Sequence, residues 1–254
     1  MQVVILAGGL GTRLSEETIL TPKPMVTIGE LPIILHIMKW YSKFGHQDFV
    51  IALGYKGELV KDYFVNFHYR NRDIRVQMKD NSIHFRSEDD SLNWTVDLID
   101  TGRDSQTAQR LHRLSSALDD RFLLTYGDGL SNVRIDELIS NHLASKKTAT
   151  VTAVRPPARF GSLQIEQGRV LSFSEKNPQH EGWINGGFFV FEKKVLDFVP
   201  QENISLESTP MENLVNSNEL NAFVHSGFWQ GMDTIRDRDV LQEIWKKGNA
   251  PWKP

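Results

Sequence analysis

The run Val3-Val4-Ile5-Leu6 stops abruptly at a glycine-rich segment, Ala7 to Leu14. Four adjacent aliphatic residues without polar alternation favour a strand buried on both faces, as in a parallel sheet. A parallel strand needs a crossover to reach its neighbour, and the next pattern supplies one. Ile34, Ile37, Met38 and Tyr41 fall at i, i+3, i+4 and i+7, which predicts a helix from about Pro32 to Phe44, ended by Gly45. Strand Asp48 to Ala52, helix Glu58 to Phe67, strand Thr95 to Ile99, a helix holding Leu111, Leu114 and Leu118, and strand Phe122 to Thr125 continue the alternation. Such a series predicts an α/β fold: a mostly parallel sheet with helices on both faces, whose ligands bind at the carboxyl ends of the strands.

Two loops then open onto one crevice, residues 7 to 23 after the first strand and Tyr126-Gly127-Asp128-Gly129 after a later one. Ile135, Leu138, Ile139 and Leu143 predict a further helix, and Thr148 to Ala153 a further strand. Beyond Pro156-Pro157 the pattern becomes hairpin-like, with short runs at Leu163 to Ile165, Val170 to Phe173 and Phe188 to Phe191 around glycines, so a smaller β-rich lobe is expected there. Arg236 to Lys247 reads as a last helix.

Composition narrows the ligand. Lys and Arg number 29 against 32 Asp and Glu, a net charge of −3 with no basic stripe, which argues for a small substrate rather than nucleic acid. The chain has no cysteine, which removes disulfides, zinc-thiolate sites and a thiol nucleophile. The first strand lacks a basic leader and meets glycines too soon for a signal peptide or a membrane span, so a cytoplasmic protein without membrane attachment is expected.

Gly8-Gly9-Leu10-Gly11-Thr12-Arg13 stands where a phosphate-binding loop should, because glycines let main-chain N–H groups approach an anion without a Cβ in the way. It is neither a Walker A loop, which needs Gly-Lys-Ser/Thr after four spacers, nor the dinucleotide fingerprint, which needs a third glycine where Leu14 stands. Arg13 and Lys23 put a basic group at each end of the same segment, and Pro22 and Pro24 stiffen the Lys23 backbone, an arrangement suited to a triphosphate.

LAGGLGTRLSEET (6 to 18), PKPMVTIG (22 to 29), GYKG (54 to 57), DTG (100 to 102), TYGDG (125 to 129), RFG (159 to 161), NGGFFV (185 to 190), MDT (232 to 234) and APWK (250 to 253) occur in order over essentially the whole chain. This set resembles the sugar-phosphate nucleotidyltransferases, and within them the branch that transfers CMP from CTP to glucose 1-phosphate. The resemblance implies a Rossmann-like nucleotidyltransferase fold in a single domain, 1–254. Its nucleotide-binding part would span about 1–155, its acceptor-binding part about 156–235 and its tail 236–254. It implies an in-line attack by an acceptor phosphate on the α-phosphorus, with Mg²⁺ held by Asp128 and Asp233, and a homo-oligomer. Leu6, Ala7, Gly8, Gly9, Gly11, Thr12, Arg13, Lys23, Ser105, Thr107, Arg110 and Gly127 would then bind the nucleotide. Lys176 would face the acceptor phosphate, with Glu175 and Asn185 taking its hydroxyls. Arg13, Lys23, Asp128, Lys176 and Asp233 would carry catalysis. Trp229, Trp252, His36 and His225 are expected to pack or to hold structure.

Two positions depart from the pattern. The relatives have two glycines between threonine and arginine where this chain has Ala108-Gln109, and a basic residue is usual where Thr21 stands. Gln109 is therefore expected beside the nucleotide or the acceptor, with an influence on acceptor choice. Other sugar phosphates, polyol phosphates and amino-acid phosphates stay open as acceptors. A silent nucleotide-binding homologue is the contrasting reading, weakened by the retention of both metal carboxylates.

Overall fold

The structure is a computed structural model that describes residues 1–9, 21–86, 92–157, 162–167, 169–174 and 182–254. Seven strands form the central sheet: β1 (Val3–Leu6), β2 (Asp48–Leu53), β3 (Thr95–Asp100), β4 (Arg121–Tyr126), β5 (Ala149–Val154), β6 (Ile184–Glu192) and β7 (Leu220–His225). They lie in the order β7-β5-β6-β4-β1-β2-β3, and every strand but β6 runs in one direction. The sheet is flanked by α1 (Ile33–Lys43), α2 (Gly57–Val65), α3 (Phe67–Asn71), α4 (Thr107–Arg113), α5 (Ile135–Ser145), α6 (Thr209–Asn216) and α7 (Ile235–Lys246). Small two-stranded pieces complete it, among them the hairpin Ser162–Glu166/Arg169–Ser174.

The unbroken apolar runs of β1, β2 and β4 are explained by a core on each face of the sheet. Val3, Ile5, Phe49, Ile51, Leu53 and Leu123 face the core built with α1 and α7. Val4, Leu6, Val50, Ala52, Phe122 and Leu124 face the one built with α4 and α6. Each of these Val, Leu, Ile and Phe side chains contributes about 1.5–3 kcal/mol when fully buried. α1 is buried well beyond one stripe: Ile33, Leu35 and Trp40 join the predicted face. Gly45, at φ 83°, then turns the chain out of the helix, a conformation glycine adopts without a Cβ clash.

Three expectations are corrected. The helix foreseen over Glu58 to Phe67 ends at Val65, where Asn66 takes a non-helical φ/ψ as both the C-cap of α2 and the N-cap of the short α3. Leu118 lies beyond α4, which stops at Arg113 and is followed by a 3₁₀ turn, Ser115–Ala117. Phe188 to Phe191 is no hairpin: it is part of β6, which enters the main sheet between β5 and β4. Its unbroken apolar run is that of a central strand covered on both faces. Among the described residues no helix is long and apolar enough to cross a membrane.

Candidate active site

β1, β2, β3 and β4 are parallel neighbours, so their carboxyl ends form one rim. Beyond that rim the chain of β1 stays pinned: Ala7 N donates to Ala52 O at 3.0 Å, and Gly127 N donates to Leu6 O at 3.0 Å. The Arg110 guanidinium is buried beneath the loop, where Nη2 donates to Gly8 O at 2.9 Å and Nη1 to Leu53 O at 3.1 Å and Thr101 Oγ1 at 3.2 Å. A Cβ on Gly8 would stand 1.6 Å from Arg110 Nη1, and one on Gly54 2.2 Å from it. These two glycines therefore make room for an arginine that ties three strand ends together. Gly9 is different, since a Cβ there meets nothing within 4 Å among the described residues.

Lys23 lies in a 3₁₀ turn, Lys23–Met25, set by Pro22 and Pro24, and Met25 N donates to Pro22 O at 2.8 Å. Its Nζ lies 2.6 Å from Asp128 Oδ2 and 2.8 Å from Asp233 Oδ1. Burial of the side chain, at 12% exposure, works against the ammonium, but the charges and hydrogen bonds of the two carboxylates outweigh it and raise its pKa. The carboxylates are brought together by a short ladder in which Gly129–Ser131 pairs antiparallel with Trp229–Gly231, extended by Met232 N donating to Asp128 O at 2.9 Å. Asp233 is held from behind. The Asp237 carboxylate accepts from Asp233 N and Thr234 N, and Thr234 Oγ1 accepts from Asp237 N, a capping box that starts α7.

Two openings meet at Asp128 and Tyr126. The larger, about 510 Å³, is walled by Gly8 and Gly9 on one side and by Ser105, Gln106, Thr107 and Glu207 on the other. The smaller, about 260 Å³, lies over Asn185, Gly186 and Gly187 with Trp229 and Asp233 at its edge. A register shift between β5 and β6 lies at Gly186-Gly187. Gly187, at φ 77°, would drive a Cβ to 2.7 Å from Tyr126 Cδ2. Asn185 Oδ1 accepts from Gly187 N at 2.8 Å, and its Nδ2 donates to Tyr126 Oη at 3.2 Å.

The structure thus gathers Leu6, Gly8, Gly9, Ser105, Thr107, Arg110 and Asp128 around the larger opening, and Asn185, Asp128 and Asp233 around the smaller. Ala7 and Gly127 support the rim through main-chain bonds. Gly11, Thr12, Arg13, Arg159, Glu175 and Lys176 lie outside the described residues. Arg110 directs its donors to main chain and Thr101, and Ser105 Oγ donates to Gly102 O at 2.7 Å. Gln109 is half-buried on α4 and is not among the described residues that wall either opening. Trp252 is fully buried, 5.2 Å from Phe228 between ring centroids, whereas the Trp229 indole donates to Gly186 O at 2.7 Å and edges the smaller opening. Sequence reasoning assigned no role to Tyr126 or Glu207, and no local signal marks Glu207.

A profile of the nucleotidyl transferase family matches residues 2–237. The chain belongs to that family. It is 48% identical, over 100% of this chain and 99% of the relative, to glucose-1-phosphate cytidylyltransferase of Salmonella typhi. It is 39% identical, over 100% and 99%, to the probable glucose-1-phosphate cytidylyltransferase of Bacillus subtilis (strain 168). Among solved structures, HddC from Yersinia pseudotuberculosis superposes with a TM-score of 0.68 at 25% identity, over 96% of this chain and 99% of that one. The inositol-1-phosphate CTP transferase from T. maritima, at 16% identity and a TM-score of 0.62 over 96% and 95%, shares the fold.

A nucleotidyltransferase of this kind implies a divalent metal, and the described residues fit one. Two carboxylates from distant parts of the chain converge on a single cationic atom, and hard oxygen donors of that number suit Mg²⁺, which completes its shell with phosphate and water. No group of three or more acidic, His or Cys side chains that could hold a metal is found among the described residues.

Proposed function

We propose that this nucleotidyltransferase moves CMP from CTP to glucose 1-phosphate, giving CDP-glucose and pyrophosphate. The observation that carries the reading is the meeting of two openings at Asp128, where Lys23 and Asp233 also converge. The larger opening takes the triphosphate and the smaller the sugar phosphate, so the attacking oxygen and the α-phosphorus come together over the charged cluster. The names of the relatives at 48% and 39% identity support the choice of substrates.

In this reading the Gly9 main chain and Arg13 cradle the triphosphate, and Lys23 turns from the carboxylates towards the phosphates. Asp128 and Asp233 hold Mg²⁺, which when bound neutralises phosphate charge on the way to the pentavalent centre. Arg110 acts from beneath, fixing Gly8 and hence the loop. Ser105 and Thr107 line the nucleotide side. Lys176 meets the acceptor phosphate, while Glu175 and Asn185 take hydroxyls. No covalent protein intermediate is needed: the cluster lines up the reactants and stabilises charge.

A pyrophosphate-release screen crossing the four ribonucleoside triphosphates with sugar, polyol and amino-acid phosphates tests the proposal. CTP with glucose 1-phosphate should give the highest kcat/KM. A higher value for another pair would reassign the substrate, and no release from any pair would leave a binding protein.

A further inference from the structure

Glu207 stands in the wall of the larger opening, and its two carboxylate oxygens serve two different elements. Oε1 accepts from the hydroxyl of Tyr126, the last residue of β4, and Oε2 accepts from Thr107 Oγ1, the first residue of α4, at 3.1 Å. Each hydroxyl also accepts a bond: Tyr126 Oη from Asn185 Nδ2 at 3.2 Å, and Thr107 Oγ1 from Leu206 N at 2.7 Å. A carboxylate can only accept, so it fixes the direction of both arms. With Glu207 as the sink, the Tyr126 and Thr107 protons point inwards, and the Asn185 amide must present its NH₂ to Tyr126 and its oxygen to Gly187 N.

The surrounding segment reinforces the link. Asn203 Oδ1 accepts from Gln106 N at 2.7 Å, and Ile204 O accepts from Ala108 N at 3.2 Å, so the segment bearing Glu207 satisfies N–H groups at the start of α4.

We infer that Glu207 is a positioning residue for both substrates, holding Asn185 in the acceptor pocket through Tyr126 and the first turn of α4 against the nucleotide through Thr107. The inference rests on the reading above that the smaller opening takes the acceptor and the larger the nucleotide. A glutamine in its place offers one acceptor and one donor end, so it can serve one hydroxyl and must confront the other with an N–H. Tyr126→Phe breaks the acceptor arm alone by removing a single oxygen.

The test combines steady-state kinetics, varying each substrate in turn, with calorimetric binding of CTP without acceptor. Tyr126→Phe should raise the acceptor KM about tenfold, as expected for loss of a directed hydrogen bond, and shift the CTP Kd by much less. Glu207→Ala, which offers neither hydroxyl an acceptor, should raise both, and Glu207→Gln at least one. The double variant Tyr126→Phe with Glu207→Ala should match Glu207→Ala in acceptor KM, because the arm is already broken. Unchanged constants in Glu207→Ala, multiplying losses in the double variant, or a CTP Kd that shifts in Tyr126→Phe as much as the acceptor KM would overturn the inference. Absence of turnover in the wild type would defeat the functional reading instead. The calorimetric comparison would still decide whether Glu207 holds α4.

Discussion

The Lys23 ammonium lies 2.6 Å from Asp128 Oδ2 and 2.8 Å from Asp233 Oδ1, so one side-chain cation joins a loop after β4 to the start of α7. The same oxygens are those a divalent ion would take, and removing either carboxylate should be far more costly to turnover than to folding. Asp128→Asn and Asp233→Asn are each expected to lose on the order of 10²–10³ in kcat, and EDTA to abolish activity. Pyrophosphate release in Mg²⁺ and in chelator checks both, and wild-type turnover in EDTA would refute the metal assignment.

Lys23 and the metal should also compete. Lys23→Met removes the ammonium but keeps the length and the apolar stem, so it should lower kcat about a hundredfold through the lost phosphate contact. The same variant should bind Mn²⁺ more tightly than the wild type in the absence of nucleotide, because no resident cation has to be displaced. Electron paramagnetic resonance of free Mn²⁺ measures this. Equal affinities would show that the lysine leaves without cost.

Gly8 and Gly9 adjoin in sequence and should respond in opposite ways. Gly8→Ala forces the Arg110 guanidinium out of its bonds to three strand ends, and overpacking of that kind costs about 1–3 kcal/mol. Gly9→Ala meets no atom of the described residues within 4 Å and should keep the wild-type Tm while weakening CTP binding. Thermal melts with calorimetry separate the two, and a Gly9→Ala protein with normal CTP affinity would remove that main chain from the phosphate cradle.

Acid should destabilise the protein before its carboxylates titrate. Burial is the main cause lowering the pKa of His36, whose Nε2 bonds Ile28 O at 2.8 Å, and of His142, which lies under Glu192 and Thr150. With folded pKa values below the unfolded value near 6.5, the unfolded chain binds more protons than the native one as pH falls. The stability is therefore full above about pH 6.5 and lost below it, by at most about 1.4 kcal/mol per pH unit for each such histidine. Urea unfolding at pH 5 to 8 should show this slope, reduced in His142→Asn. A flat profile across that range would exclude it.

How far the sequence could be read follows from how local each determinant is. The β1 run, the α1 period and the Gly45 stop are local patterns, and all three lie where expected. The β6 run was assigned to a hairpin lobe because glycines flank it. Only pairing with β4 and β5, both distant in sequence, reveals a central strand. Gly8 and Gly9 read alike in sequence, because a glycine next to a strand looks the same whether or not Arg110 fills the space where its Cβ would be. Glu207 was illegible for a similar reason: an acidic residue in a polar stretch acquires its part only when β4 and α4 arrive on either side of it. Gln109 is a departure in sequence whose effect depends on tertiary placement: it is half-buried on α4 and is not among the described residues that wall either opening.

The reversed direction of β6 has one more consequence. β5 ends at Val154 and β6 begins at Ile184 on the same rim of the sheet, so the excursion between them starts and finishes beside Asn185. That excursion can be lengthened, shortened or exchanged without shifting the register of any strand that holds the nucleotide loop. On the proposed reading, in which Glu175 and Lys176 meet the acceptor, a lineage or an engineer could thus change which phosphorylated compound is activated by rewriting one contiguous stretch, leaving the triphosphate chemistry as it was.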